Sequence, residues 1–285
     1  MGIIKDILKS RLAYFRMKGK MTPLLGVQQL QLFHYYRDKA TSGDLPGLDQ
    51  TGFRVFSQFE EDGLLLYILS IIGMETRRFV EIGSDDGLNS NCANLYFHFG
   101  YHGLFIDGNP RSIRRGERFY NRYPNRWHYK PRFVCAMVKR ENVNQLIEKE
   151  GFSGWIDLLS VDIDGNDYWI WDALEACTPR VVIIETHVEF GLQNIVVPYD
   201  PDYCYPGKHP VYHGASAMAM YRLGKKKGYR LVGANRYGSN FIFVKEELCG
   251  NLLPEVTPES LLTHPSAVAS FADFNLVNHL PYEQG

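Results

Sequence analysis

Short apolar runs alternate with amphipathic stretches along most of this chain, the rhythm of a mostly parallel sheet wrapped by helices. Phe79-Val80-Glu81-Ile82 is one such run. Gly103 to Ile106, Arg132 to Val138, Ile156 to Val161 and Val181 to Ile184 are others, and Arg230 to Val232 and Phe241 to Val244 close the series. Runs this short, rich in β-branched and aromatic residues, read as buried strands. Helical spacing between them predicts helices over about 57–72, 110–120, 142–150 and 216–227, and one starting near Asp167. Ser57 is a natural N-cap for the first, with acids in its opening turn. The pattern predicts one doubly wound α/β domain over residues 51–247, a seven-stranded, mostly parallel sheet ending with an antiparallel strand.

Outside that domain the pattern changes. Within residues 1–20, Ile4, Ile7, Leu8, Leu12 and Phe15 fall at helical spacing, and six Lys or Arg face Asp6 alone, a balance of +5. A basic amphipathic helix like this packs on its own domain or on a second subunit, or rests on a partner or an anionic membrane surface. Thr22-Pro23 breaks it, and a second helix runs from about Gly26 to Ala40, so 1–50 reads as a helical extension. Residues 188–214 carry Tyr199, Tyr203, Tyr205, Tyr212 and four prolines. They are too many for a plain connection and read as a substrate-facing lid. Residues 248–285 read as an irregular tail with short helical pieces.

The first strand breaks at Gly83-Ser84-Asp85-Asp86-Gly87, and the second ends on Asp107, 20 residues beyond Gly87. Strand, glycine turn, helix and strand with an acid at its tip make one half of a nucleotide-binding sheet. Glycines allow the sharp bend and a close approach to a ligand. Asp107 is placed to accept hydrogen bonds from both hydroxyls of a ribose. A dinucleotide turn offers backbone N–H groups to a pyrophosphate, whereas this one carries Glu81, Asp85 and Asp86. Three carboxylates repel a pyrophosphate and suit a cationic ligand such as S-adenosylmethionine, whose sulfonium and ammonium are both positive. A glycine turn by itself also serves unrelated α/β proteins.

Asp162, Asp164 and Asp167 cluster where the fourth strand ends, and the fifth delivers Glu185, Thr186 and His187 to the same rim. Ligands of such sheets bind beyond the carboxyl ends of the strands. Asp162, Glu185 and His187 can jointly ligate a hard cation such as Mg²⁺. Equally, Asp162 can hold an amino group or cap the next helix, and Asp164 and Asp167 can order their own turn. If a hydroxyl is the acceptor of a transferred group, His187 or His213 is available as its base.

Three blocks together resemble the FkbM-like branch of class I S-adenosylmethionine-dependent methyltransferases: Ser-Gln-x-x-Glu-Asp-Gly at 57–63, Glu-Ile-Gly-x-x-Asp-Gly at 81–87 and Gly-Leu-x-Ile-Asp-Gly-Asn at 103–109. Asp-Ile-Asp-Gly-Asn-Asp-Tyr-Trp at 162–169 and Pro-Arg-Val-Val-Ile-Ile-Glu at 179–185 extend the resemblance, as do Gly-Tyr-Arg-Leu-Val-Gly at 228–233 and Asn240. It implies a Rossmann-like methyltransferase fold, with the cofactor held by Gln58, Asp62, Glu81, Gly83, Asp85, Gly87, Asp107, Asn109 and Asp162. Ala136 and Met137 would border the adenine. From their place at the strand ends, His187, Asp162 and Asp164 are the candidate catalytic group, and the resemblance permits a metal on Asp162, Glu185 and His187 without requiring one. The implied acceptor is a sugar, a glycan or a glycosylated natural product. Asp85 stands where a glycine is common, and Thr186-His187 where Tyr-Asn is frequent.

Composition narrows the rest. Hydrophobic residues at 45% and charged ones at 22% are ordinary for a globular protein, and a net charge of −1 argues against broad binding to nucleic acid. Five scattered cysteines read as reduced thiols of a cytoplasmic protein, one that is membrane-peripheral if residues 1–20 bind lipid. The longest apolar run, Leu64 to Met74, is too short to span a bilayer. Homo-oligomerisation stays open. So do two other functions, a nicotinamide-dependent oxidoreductase and a non-catalytic scaffold in a glycan-modifying or membrane-associated assembly.

Overall fold

The computed structural model describes residues 15, 17–122 and 130–285. The basic helix expected over residues 1–20, with its membrane or partner contact, lies outside the described residues but for its end. The chain forms two compact units, one up to Met137 and one from Val138 onward. Its strands are β1 (Arg78–Ile82), β2 (His102–Asp107), β3 (Arg132–Cys135), β4 (Gly154–Val161), β5 (Cys177–Glu185), β6 (Ile195–Val196), β7 (Tyr229–Ala234), β8 (Asn240–Lys245) and β9 (Glu283–Gln284). Seven make one sheet in the order β3-β2-β1-β4-β5-β8-β7, and β6 pairs with β9 apart from it. The sheet is mostly parallel. Its antiparallel strand β8 is last of the seven in the chain, yet it lies between β5 and β7. Phe241, Ile242, Phe243 and Val244 on β8 are all fully buried, as an inner strand requires.

In the first unit, aromatic rings set the spacing between strands. Gly103 on β2 faces Phe79 on β1, and a Cβ there would stand 1.9 Å from Phe79 Cζ. Phe105 stacks on Phe133 of β3 at 4.8 Å. Helix α1 (Pro23–Ser42) opens with Thr22 as N-cap and Pro23 in its first turn, so the pair that ends the preceding segment also starts this helix. Side-chain amides of Gln29 and Asn94 bond reciprocally at 3.1 and 2.7 Å.

Helix α2 (Glu61–Ile72) starts three residues later than Ser57 as N-cap predicts. The reason is Asp62. Its Oδ2 accepts from the N–H groups of Val55, Phe56 and Ser57 at 2.6, 2.6 and 2.9 Å, so these residues wrap around the carboxylate instead of entering the helix. Gly63 lets the incoming chain press close, since a Cβ there would lie 2.3 Å from Phe53 N.

In the second unit, β4 and β5 form the buried centre, with Asp157 and Arg180 paired in the interior at 3.4 Å. Helix α7 (Ala217–Lys226) packs beside β7 and is capped by Ser216, whose Oγ accepts from Ala219 N at 3.1 Å; between β3 and α7 lie α5 (Val143–Lys149) and α6 (Asp167–Ala173), after α3 (Ala93–Phe99) and α4 (Pro110–Tyr120) of the first unit. The insertion and the tail pack against each other. They build a second small core from Phe190, Ile195, Tyr212 and Val277, flanked by Phe274 and Tyr282. The tail is therefore a structural partner of the insertion. No helix among the described residues is long and apolar enough to cross a membrane.

Candidate functional site

At the end of β1 the chain turns through Gly83 (φ 84°), Asp85 (φ 47°) and Gly87 (φ 68°), three residues in the left-handed region. Asp107 at the tip of β2 fastens this turn: its Oδ2 accepts from Asp85 N at 2.8 Å and its Oδ1 from Asn109 N at 2.7 Å. The carboxylate is half-buried, and burial raises its pKa. β3 runs parallel to β2 with Cys135 opposite Asp107, and Ala136 N donates to Asp107 O at 3.0 Å. Met137 follows, 55% exposed, with its sulfur in the space a Cβ on Gly108 would fill. The first unit thus brings Gly83, Asp85, Asp107, Asn109, Ala136 and Met137 to one rim.

The carboxylates there are less free than their number suggests. Arg115 on α4 pairs with Asp85 at 3.0 Å and closely with Asp86. Glu81 is buried, accepting from Ser90 Oγ at 2.5 Å and Asn91 N at 3.2 Å. Burial pushes its pKa up to about 7, against the pull of those hydrogen bonds. Glu81 thereby organises the segment leading to α3. Asp62 is also buried, with a pKa raised to about 6 by desolvation, and its Oδ1 has no hydrogen-bond partner. Ser84 Oγ is likewise buried and unpartnered. Gln58 is exposed.

In the second unit, Asp162, Asp164 and Glu185 offer carboxylate oxygens that all lie within 4.8 Å of one another. Asp164 sits at φ 52° in a turn tied by Asp167, which accepts from Ile163 N at 2.8 Å and Gly165 N at 2.9 Å. Burial, then repulsion from Asp162, Asp167 and Asp164, drives the Glu185 pKa well above the usual carboxylate range. Crowded carboxylate oxygens, whose mutual repulsion a bound cation would relieve, fit a hard divalent cation.

His187 stands outside this trio, and Asp164 occupies the place the sequence reading gave it. Its ring is held elsewhere: Nε2–H donates to Val211 O at 2.7 Å, and Nδ1 lies 3.4 Å from Glu189 Oε2. Burial lowers its pKa to about 4, so it is neutral near pH 7. Thr186 is tied just as firmly, its Oγ1 donating to Gly238 O at 2.7 Å. Thr186 and His187 are thus both held by local backbone contacts.

Arg115, Ser90 and Asn91 were not singled out from the sequence. A basic residue on the helix after Asp107 was the available signal for Arg115; the partners of Glu81 carry none, because they come from an irregular segment. No family model and no curated protein matches the sequence. Among solved structures, an O-methyltransferase from Bacillus cereus in complex with SAH is similar at 17% identity and TM-score 0.42, over 75% of this chain and 90% of that one. The methyltransferase domain of bacterial CtHen1 is similar at 15% identity and TM-score 0.42, over 64% and 96%. The SAH-bound N-terminal domain of EvdMO1 is similar at 12% and 0.40, over 74% and 94%.

Proposed function

We propose that this chain is a class I S-adenosylmethionine-dependent methyltransferase acting on a hydroxyl oxygen, with a sugar or glycosylated metabolite as acceptor. The observation that carries the reading is Asp107 fastened to the left-handed glycine turn. Each of its oxygens accepts one backbone N–H and keeps a lone pair for a ribose hydroxyl. The unpaired Asp62 Oδ1 and Ser84 Oγ are buried polar atoms of the kind a polar cofactor satisfies.

Methyl transfer to a hydroxyl is an in-line displacement, so the protein supplies alignment and a destination for the hydroxyl proton. We assign that destination to Asp162 and Asp164. His187 is disfavoured, because its Nε2 is committed to Val211 and its basicity is suppressed. With a divalent cation on Asp162, Asp164 and Glu185, those carboxylates would act as ligands in place of the base, and the cation would lower the pKa of the acceptor hydroxyl and orient it.

The test is calorimetric titration of S-adenosylhomocysteine into the folded protein, with NAD as a parallel titrant, repeated on Asp107→Ala. Micromolar binding that the substitution abolishes is the expected outcome. Absence of binding in folded protein, or preference for NAD, would sink the reading. For the cation, added Mg²⁺ should raise the thermal midpoint of the parent protein but not of Asp162→Asn; equal responses would remove Asp162 from the ligand set.

A further inference from the structure

The insertion and tail of the second unit enclose a cavity of about 440 Å³, with Tyr199, Tyr203, Tyr212, Asp202 and Lys208 among its walls. The Tyr203 ring is seated in a slot cut by two glycines. A Cβ on Gly165 would stand 2.3 Å from its Cε1, and one on Gly207 2.5 Å from its Cε2. The ring therefore lies against the turn that bears Asp164. Its hydroxyl is shielded from solvent and has no hydrogen-bond partner.

His213 lies beside it, with ring centroids 6.5 Å apart, and is 6% exposed. Its Nδ1 is also buried and unpartnered. The bond the ring does make is to the backbone of Pro210, which has only a carbonyl to offer, so Nε2–H is the donor and Nδ1 keeps a lone pair. Burial, and then the neighbouring His187 at 4.2 Å, lowers the His213 pKa to about 4, which keeps the imidazole neutral.

Native folds leave few buried polar groups unpaired, and two in one cluster call for a shared explanation. One is a neutral donor and the other a neutral acceptor. An alcohol complements both, accepting from the Tyr203 phenol and donating to His213 Nδ1. An ionised carboxylate has no proton for Nδ1, and any anion, phosphate included, meets the Asp164 carboxylate nearby; an ammonium has no lone pair for the phenol.

We infer that Tyr203 and His213 position the hydroxyl of a small polyol-type ligand admitted through this cavity. On the methyltransferase reading, on which the inference rests, that ligand is the methyl acceptor. The ring clamped by Gly165 and Gly207 then fixes where the acceptor oxygen sits relative to Asp164.

Histidine-selective ¹⁵N spectra of the protein saturated with S-adenosylhomocysteine test this, with glycerol as the hydroxyl probe and 1,2-dimethoxyethane as the control without hydroxyls. Glycerol should move the His213 Nδ1 resonance saturably, and the diether should not. Tyr203→Phe should weaken the glycerol response about fivefold, the worth of one hydrogen bond, while leaving the thermal midpoint unchanged or higher because the phenol has no partner to lose. No glycerol response, an equal response to the diether, or an unfolded Tyr203→Phe would each overturn the inference. Calorimetry on the same samples separates the two levels. Retained S-adenosylhomocysteine binding without a His213 response sinks only the acceptor pair, whereas loss of that binding in the parent protein sinks the methyltransferase reading.

Discussion

At the scale of single residues, Glu81 shows how burial turns a motif position into a pH-sensitive element. Its folded pKa of about 7 lies above the ordinary 4.5, so the folded chain keeps a proton that the unfolded chain releases first. Stability from this group is intact below about pH 4.5, declines as pH rises toward 7, and is lost above it, a change of about 3 kcal/mol. Glu81→Gln should remove most of that decline, read as the difference in denaturant unfolding between variant and parent near pH 5 and near pH 8. Asp62 and Asp167, both raised to about 6, act in the same direction, so the parent retains pH dependence that the variant does not abolish. A slope unchanged by Glu81→Gln would show that the carboxyl is ionised in the fold. The sequence placed Glu81 in the turn. It could not show that Ser90 and Asn91 occupy both its oxygens, because those partners lie in a segment without periodicity.

At the scale of elements, strand positions were legible and boundaries were not. Apolar runs marked all seven strands of the sheet; all but the partly exposed β3 are largely buried on both faces, which leaves no polar alternation to hide them. The start of α2 was misread because Ser57 looks like a cap in sequence, while its N–H serves the Asp62 carboxylate in space. Sheet packing leans on glycines that patterning does not flag. Gly103→Ala should drive a methyl into the Phe79 ring and destabilise the fold by about 1–3 kcal/mol, measurable as a lower denaturation midpoint. A neutral result would mean the ring moves aside freely, against the close contacts it makes with Phe105.

At the scale of the whole molecule, the sequence identified the sheet and missed the second core. The tail reads as irregular with short helical pieces because Phe274, Val277, Leu280 and Tyr282 follow no regular spacing, and their meaning appears only when Phe190, Ile195 and Tyr212 stand opposite. Val277→Ala should therefore loosen the insertion more than the sheet. Limited proteolysis should cut earlier within residues 188–214, while the far-ultraviolet circular dichroism stays near that of the parent. Cleavage at the parent rate would detach the tail from any role in holding the insertion. The acids were legible as residue types at strand ends; that Asp164 clusters with Asp162 and Glu185 while the His187 ring is tied to Val211 depends on a left-handed turn and a carbonyl contact that spacing cannot encode.

The backbone at Asp85 has a consequence for how this turn can change over generations. Asp85 holds φ 47°, a conformation glycine adopts without penalty. An aspartate codon and a glycine codon differ by a single base. The turn can therefore gain or shed a negative charge, and with it a partner for Arg115, by one mutational step that leaves the path of the chain intact. Charge at this rim can change independently of shape, so the electrostatics of the turn can be retuned without rebuilding it.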